Sequence, residues 1–266
     1  MTRTPSRHGQ LQGGPNMPRL MGNDMEKVDL GRGFNFSGTR LEKLGASEYT
    51  LVTIAVDVTG SVGGFEGELR DCLITAVKAC KKSPRANNLL LRVITFASQF
   101  QNGVNELNGF KPLADIDPDN DYPDFRPGGM TPLNDACYSA IGAMNAYGQK
   151  LSDDDYGVNA IAFIITDGDE NASVATMQMV KEELNRAITG ETMESMISIL
   201  IGINAQYYQA KLEQFQREAG ITQYIDAGEA TRGRLAKLAE FVSQSVSSQS
   251  QALGTGGPSQ NISATI

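Results

Sequence analysis

The chain has 266 residues, 40% of them apolar, with a formal net charge of −8 and a sequence pI near 4.8. That length suits one large domain with tails or two small ones. The acidic balance argues against non-specific nucleic-acid binding, which needs clustered Lys and Arg. The only histidine, His8, lies in a polar N-terminal stretch, which argues against His-dependent catalysis and His-ligated zinc.

Residues 1 to about 30 are rich in Gly, Pro, Arg and Asn and show no periodicity. With the lead-in that follows, they predict an N-terminal arm over 1–47, flexible or extended, suited to contacting assembly neighbours or a second copy. The first residues contain no apolar core of a secretory signal, so a cytoplasmic location is expected. TLVTIAVD (50–57) is a continuous apolar, β-branched run, the pattern of a strand buried on both faces. Phe65, Leu69, Cys72, Leu73, Ala76 and Cys80 then recur at helical spacing. NLLLRVITF (88–96) is a second buried strand, and FQNGVNEL (100–107) a weaker one, a candidate hairpin partner for it.

Leu133, Ala136, Cys137, Ala140, Ile141 and Met144 form the next helical stripe, and NAIAFIIT (159–166) is the strongest strand in the chain. A helix through Met177–Ile188, a strand at 195–202, a helix at 208–219, a short strand at 223–227 and a final helix through Leu235–Val246 complete a domain over 48–246. Residues 247–266 drift into a Ser/Gln/Gly-rich tail expected to be flexible. No apolar run is long enough for a membrane span. Cys72, Cys80 and Cys137 have no metal-like spacing, and buried reduced thiols of an intracellular protein are expected.

Strands alternating with helices imply an α/β fold: an open, mostly parallel, Rossmann-like sheet with helices on both faces and ligands at the carboxyl ends of its strands. Asp57 ends the first buried strand and is followed by Thr59 and Ser61 at alternate positions. One carboxylate and two hydroxyls on one side of a turn suit a hard cation, Mg²⁺ or Mn²⁺. Gly60, Gly63 and Gly64 allow tight backbone there. Thr131, after the Gly128-Gly129 pair, can add a third hydroxyl, and Asp167, at the end of a buried strand, a second carboxylate. Each fragment alone is also ordinary turn and capping chemistry; the set of five is specific.

Asp57-x-Thr59-x-Ser61, then Thr131, then Asp167-Gly168 resembles the von Willebrand factor A (vWA) domain family, with its metal-ion-dependent adhesion site (MIDAS) of form D-x-S-x-S, T, D. The resemblance covers about residues 48 to 245 and favours the intracellular bacterial or phage type. Thr59 stands where the family usually has Ser, which keeps the hydroxyl. The resemblance implies a vWA fold with Mg²⁺ at its top face, held by Asp57, Thr59, Ser61, Thr131 and Asp167. Gly60, Gly129, Asp169 and Glu170 are candidates for the rim. Mostly neutral ligands leave the cation under-neutralised and receptive to a protein partner's Asp or Glu carboxylate.

The acidic loop ADIDPDNDYPDF (114–125) lacks the Gly and Glu of a calcium-binding helix–loop–helix loop and is expected to be a solvated rim, with weak Ca²⁺ binding as its alternative. A phosphohydrolase built on a strand-ending Asp would need a second Asp where Thr59 stands, and no phosphate-binding GxxxxGK[ST] loop occurs. A non-enzymatic interaction module is therefore expected. A structural subunit of a bacterial or phage assembly, virion-associated if phage-encoded, is the alternative.

Overall fold

The computed structural model describes residues 24–190 and 192–256. Its eight strands are β1 (Met25–Gly31), β2 (Phe34–Thr39), β3 (Glu48–Asp57), β4 (Leu89–Phe96), β5 (Val104–Pro112), β6 (Gly157–Thr166), β7 (Met196–Ile203) and β8 (Gln223–Gly228). The helices are α1 (Glu66–Cys80), a single turn α2 (Pro118–Asp121), α3 (Leu133–Asp153), α4 (Met177–Thr189), α5 (Gln209–Ala219) and α6 (Arg232–Thr255).

All strands join one sheet in the order β1-β2-β5-β4-β3-β6-β7-β8. β4, β3, β6, β7 and β8 run parallel, while β5 returns antiparallel to β4 and β1 pairs antiparallel with β2. β3 lies at the centre because its residues are buried on both faces, as its unbroken apolar run requires. The register sets Asp57 opposite Phe96 and Val56 opposite Ile165, so β3, β4 and β6 end level with one another.

Two apolar layers flank the sheet. Leu69, Leu73, Val77, Leu238 and Val242 of α1 and α6 pack on one face. Leu133, Ile141, Met144, Val180, Leu184 and Phe215 of α3, α4 and α5 pack on the other. Cys72, Cys80 and Cys137 are buried and unpaired, as expected. Among the described residues no helix is long and apolar enough to cross a membrane.

Two boundaries differ from the sequence expectation. Residues 25–39, expected within a flexible or extended arm, are a hairpin integral to the sheet. Its turn, Gly31-Arg32-Gly33, has φ of 81°, 55° and 85°, three consecutive left-handed residues that reverse the chain sharply. Phe34 and Phe36 then alternate inward, and Phe34 meets the Tyr138 ring at 5.0 Å. Phe36 meets Phe110 at 5.9 Å and Tyr147 at 6.2 Å, and Phe110 stacks on Tyr147 at 5.1 Å. The partners of this cluster come from residues about 70 to 110 positions away, which is why a local window reads the segment as an arm. β2 can approach β5 only through glycine: a Cβ at Gly109 would lie 2.1 Å from the Ser37 carbonyl oxygen.

A polar clasp closes the same corner. Arg92, fully buried on β4, donates from Nε to Glu106 Oε2 at 2.7 Å and from its terminal nitrogens to the Ser139 carbonyl (3.0 Å) and Oγ (3.1 Å). Glu106 Oε1 accepts from the Ser37 amide at 3.0 Å, so one ion pair ties β4, β5, α3 and the hairpin. The arm that would reach for neighbours is thus confined at most to residues 1–23, outside the described residues.

At the other end α6 continues to Thr255, nine residues into the expected tail. Its polar residues are used as tertiary partners. Gln249 is fully buried, donates to Ser195 Oγ at 2.9 Å, and its carbonyl accepts from Asn159 Nδ2 at 2.7 Å. Residues 257–266 lie outside the described residues. A smaller shift concerns β5, which begins at Val104. Residues 101–103 are a turn, with Asn102 at φ 52° and Gly103 at φ 69°, the Asn-Gly signal of a hairpin reversal.

If the hairpin belongs to the cooperative core, Phe36→Ala lowers unfolding stability by about 3–5 kcal/mol. Urea denaturation of the full chain measures it; a loss under about 0.5 kcal/mol, the level of an exposed surface substitution, would mean that the segment behaves as an arm after all.

Candidate metal centre

Asp57 is fully buried at the end of β3. Its Oδ1 accepts from the Thr59 amide at 2.8 Å, and its Oδ2 from Thr166 Oγ1 at 2.6 Å. Thr166 is the residue sequence reasoning missed. It ends β6 level with Asp57, and its hydroxyl also meets the turn at Gly168, whose amide lies 3.2 Å away. The signal was present in IITDG, where a hydroxyl residue closes an apolar strand beside an acid.

After Asp57 the chain turns so that Thr59 is buried and Ser61 faces out. Thr59 Oγ1 and Ser61 Oγ are 3.0 Å apart, and Ser61 Oγ donates to Asp167 Oδ1 at 2.8 Å. Four of the five expected residues are therefore joined in one hydrogen-bonded series, Asp57 through the Thr59 amide and Thr59, Ser61 and Asp167 oxygen to oxygen. Thr131 is brought beside Gly168, the residue after Asp167: a Cβ placed on Gly168 would lie 3.3 Å from Thr131 Oγ1. Glycine at 168 keeps the space in front of that hydroxyl clear.

Thr131 is positioned by two loops. Its amide donates to Asn171 Oδ1 at 2.8 Å, and the Asn171 amide returns a bond to its carbonyl at 3.0 Å. On the other side the Gly60 amide donates to the Gly129 carbonyl at 3.1 Å, locking the 128–130 segment against the Asp57–Ser61 turn. Gly129 has φ 74°, and a Cβ there would lie 2.7 Å from Ser98 Oγ, so only glycine fits without movement. Gly60 and Gly129 thus brace the rim by their backbones.

The other acids have separate tasks. Asp169 pairs with Lys211 Nζ at 2.5 Å. Glu170 accepts from the amides of Asn134 (2.7 Å) and Ser173 (2.8 Å), capping the start of α3 and folding its own loop. Asp135, on the first turn of α3, is buried and accepts from the Val174 and Ala175 amides. These two carboxylates hold the 167–176 loop in place.

In the acidic loop the calcium alternative is not formed. Asp119 pairs with Lys78, Asp124 with Arg70, and Asp117 accepts from Asn120, so the carboxylates point apart. Among the described residues no three His, Cys, Asp or Glu side chains converge. The centre at Asp57 instead offers two carboxylates and three hydroxyls.

Burial dominates the electrostatics. It pushes the Asp57 carboxyl up from an ordinary 3.8 to about 6, against the bonds from Thr166 and Thr59 that favour the charge, and the nearby Asp167 adds to the rise. Asp167 is raised as well, by burial first, with Ser61 opposing. Two partly desolvated acids are thus held across a bridge of hydroxyls, an arrangement that a cation would relieve.

No protein-family model matches the sequence, and no curated protein matches it. Solved structures do resemble its fold. The pilus adhesin SpaC from Lactobacillus rhamnosus GG, in its open conformation, superposes with a TM-score of 0.57 at 11% identity, covering 85% of this chain and 32% of that one. Proximal thread matrix protein 1 from the mussel byssus gives 0.51 at 16% identity, covering 76% of this chain and 47% of its own. The form of that mussel protein with a zinc-occupied MIDAS motif gives 0.50 at 15% identity, covering 84% and 48%. The chain spans about a third of the adhesin and just under half of the matrix protein. It has a vWA-type fold, an eight-stranded, mostly parallel sheet covered by helices.

An acid whose pKa is raised by folding stabilises the fold fully below its unfolded value and loses that contribution as pH rises through its folded value. In chelator, Asp57 should therefore cost the protein about 3 kcal/mol between pH about 4 and the region above 6. Asp57→Asn keeps the shape and removes the charge, so at neutral pH in EDTA it should exceed the wild type in stability, by about 2 kcal/mol. Denaturant midpoints for both proteins across pH test this; a variant less stable than wild type would refute the buried-charge penalty.

Proposed function

We propose that the chain is a divalent-cation-dependent protein-interaction module, not an enzyme, and that Asp57, Thr59, Ser61, Thr131 and Asp167 hold the cation. The observation that carries this reading is the hydrogen-bonded series Asp57–Thr59–Ser61–Asp167 at one sheet edge, with two desolvated carboxylates and, among the described residues, no compensating Lys or Arg bonded to either. All-oxygen donors of this type suit Mg²⁺ or Mn²⁺. The zinc-occupied motif of the mussel protein lends support from a chain of the same fold.

Once bound, the cation would supply a Lewis-acidic point of positive charge. Three of its five protein donors are neutral hydroxyls, so part of that charge stays uncompensated and attracts an incoming carboxylate. The supporting residues suit binding more than bond cleavage. Thr59 stands where a strand-ending Asp phosphohydrolase needs its second acid, and its hydroxyl is turned to Ser61. Three buried, unpaired thiols suit a reducing, intracellular setting.

Calorimetric titration of the full chain with Mg²⁺ and Mn²⁺ should show one site, lost in Asp57→Ala and weakened at least about tenfold in Thr131→Ala, the loss of one direct ligand. Capture of a protein partner on the immobilised chain should need the cation and fail with Asp57→Ala. Equal capture in EDTA, or by the variant, would defeat the mechanism.

A further inference from the structure

Beside the candidate metal centre lies an apolar groove of about 570 Å³. Its lining includes Val58, Phe100, Leu107 of β5, Pro123 and Phe125 of the acidic loop, and Arg126. Val58 sits in the chain between Asp57 and Thr59, and its carbonyl accepts from the Gly128 amide at 3.0 Å, so groove and centre share a wall. The volume is that of a ligand subsite, with mostly apolar lining.

Two features of its rim bear on the occupant. Arg126 lines the groove, is exposed, and makes no ion pair among the described residues. Gln99 fixes its backbone by donating to the Arg126 carbonyl at 3.1 Å, which leaves the guanidinium as the free positive charge of that loop. Met130, the residue before Thr131, is 57% exposed, an unusual placement for a large apolar side chain at a site edge.

We propose that this groove is the second half of the contact surface: it takes a bulky apolar side chain that the partner protein carries within a few residues of the carboxylate meeting the cation. The proposal rests on the cation-dependent reading of the neighbouring centre. The partner segment is acidic as well as apolar: the free Arg126 complements a negative chain, and the exposed Met130 extends the apolar contact beyond the groove. Of the acidic loop's carboxylates only Asp124 lines the groove; it is exposed and lies 3.6 Å from Arg70, which offsets part of its charge, while Asp119 pairs with Lys78 away from the lining. The cation sets the position of one partner atom, and the groove selects among the many proteins that present an Asp or Glu.

Random peptides displayed on phage, selected on the immobilised full chain in Mg²⁺ and eluted with EDTA, test this. The expected clones carry Asp or Glu with Leu, Ile, Phe or Met close by. For the best peptide, Leu107→Lys in the protein, or Ala for the peptide's apolar residue, should each weaken binding about tenfold or more, and the two losses should not add. Arg126→Glu, on the surface and harmless to the core, should also weaken it, and calorimetric Mg²⁺ binding should be unchanged in both variants. Acidic clones without an apolar neighbour, or affinities indifferent to Leu107→Lys and Arg126→Glu, would overturn the groove while leaving the metal centre standing. Absence of Mg²⁺ binding by the wild type would remove both.

Discussion

The structure is organised around a carboxylate that burial opposes. Asp57 ends the central strand with its side chain removed from water, and the protein supplies the Thr59 amide to one of its oxygens and the Thr166 hydroxyl to the other, with no cationic side chain bonded to it among the described residues. Level strand ends are the means of doing this. Because β3 and β6 run parallel in register, Thr166 arrives beside Asp57, and the residue after it, Asp167, arrives at Ser61. A slip of one residue would turn these side chains to the opposite face. The long apolar strands, which look like simple core, therefore fix the chemistry at their ends.

The loops that follow are held by contacts that avoid the candidate centre. Gly60 and Gly129 clasp backbone to backbone, Asn171 brackets Thr131, and Glu170 and Asp135 gather the amides of the 172–175 segment. Acidic residues here divide by what surrounds them. Asp135 and Glu170 each gather several loop amides and Asp169 pairs with Lys211, so these act as braces, whereas Asp57 and Asp167 each accept from a hydroxyl, and Asp167 raises the cost of charge on Asp57. A sequence count of acids near a strand end cannot make that distinction, because the difference lies in which neighbouring loop supplies the donors.

Most of the central sheet could be read from the chain because its strands are buried on both faces and say so in unbroken β-branched runs. The five oxygen-bearing residues were picked out because Asp57 and Asp167 close or follow such runs, Thr59 and Ser61 alternate after the first, and Thr131 precedes a helix after a Gly-Gly turn. Thr166 was missed because, as the last residue of the run, it reads as one more β former. The hairpin at 25–39 was missed because Phe34 and Phe36 find Phe110 and Tyr147 only in the folded chain, although Gly-Arg-Gly was a turn signal in plain view. The last turns of α6 were missed for the opposite reason: Gln249 and Ser250 look like linker composition, yet both are buried and bonded to distant residues. Composition reports what a residue prefers on average, and these two are exceptions that tertiary bonding creates.

The strand directions have a consequence for how the molecule can be attached. β1 runs parallel to the central strands, so Met25 enters at the edge of the sheet remote from Asp57. α6 descends from the carboxyl edge and finishes at the same remote edge, where Leu253 approaches Gly157 at the start of β6 and Gly254 approaches Arg85 before β4. Both ends of the described chain thus leave from one pole and the oxygen-lined centre occupies the other. A tether at either end, or insertion of the whole unit into a longer polypeptide, would hold it by its base with the candidate centre at the opposite pole.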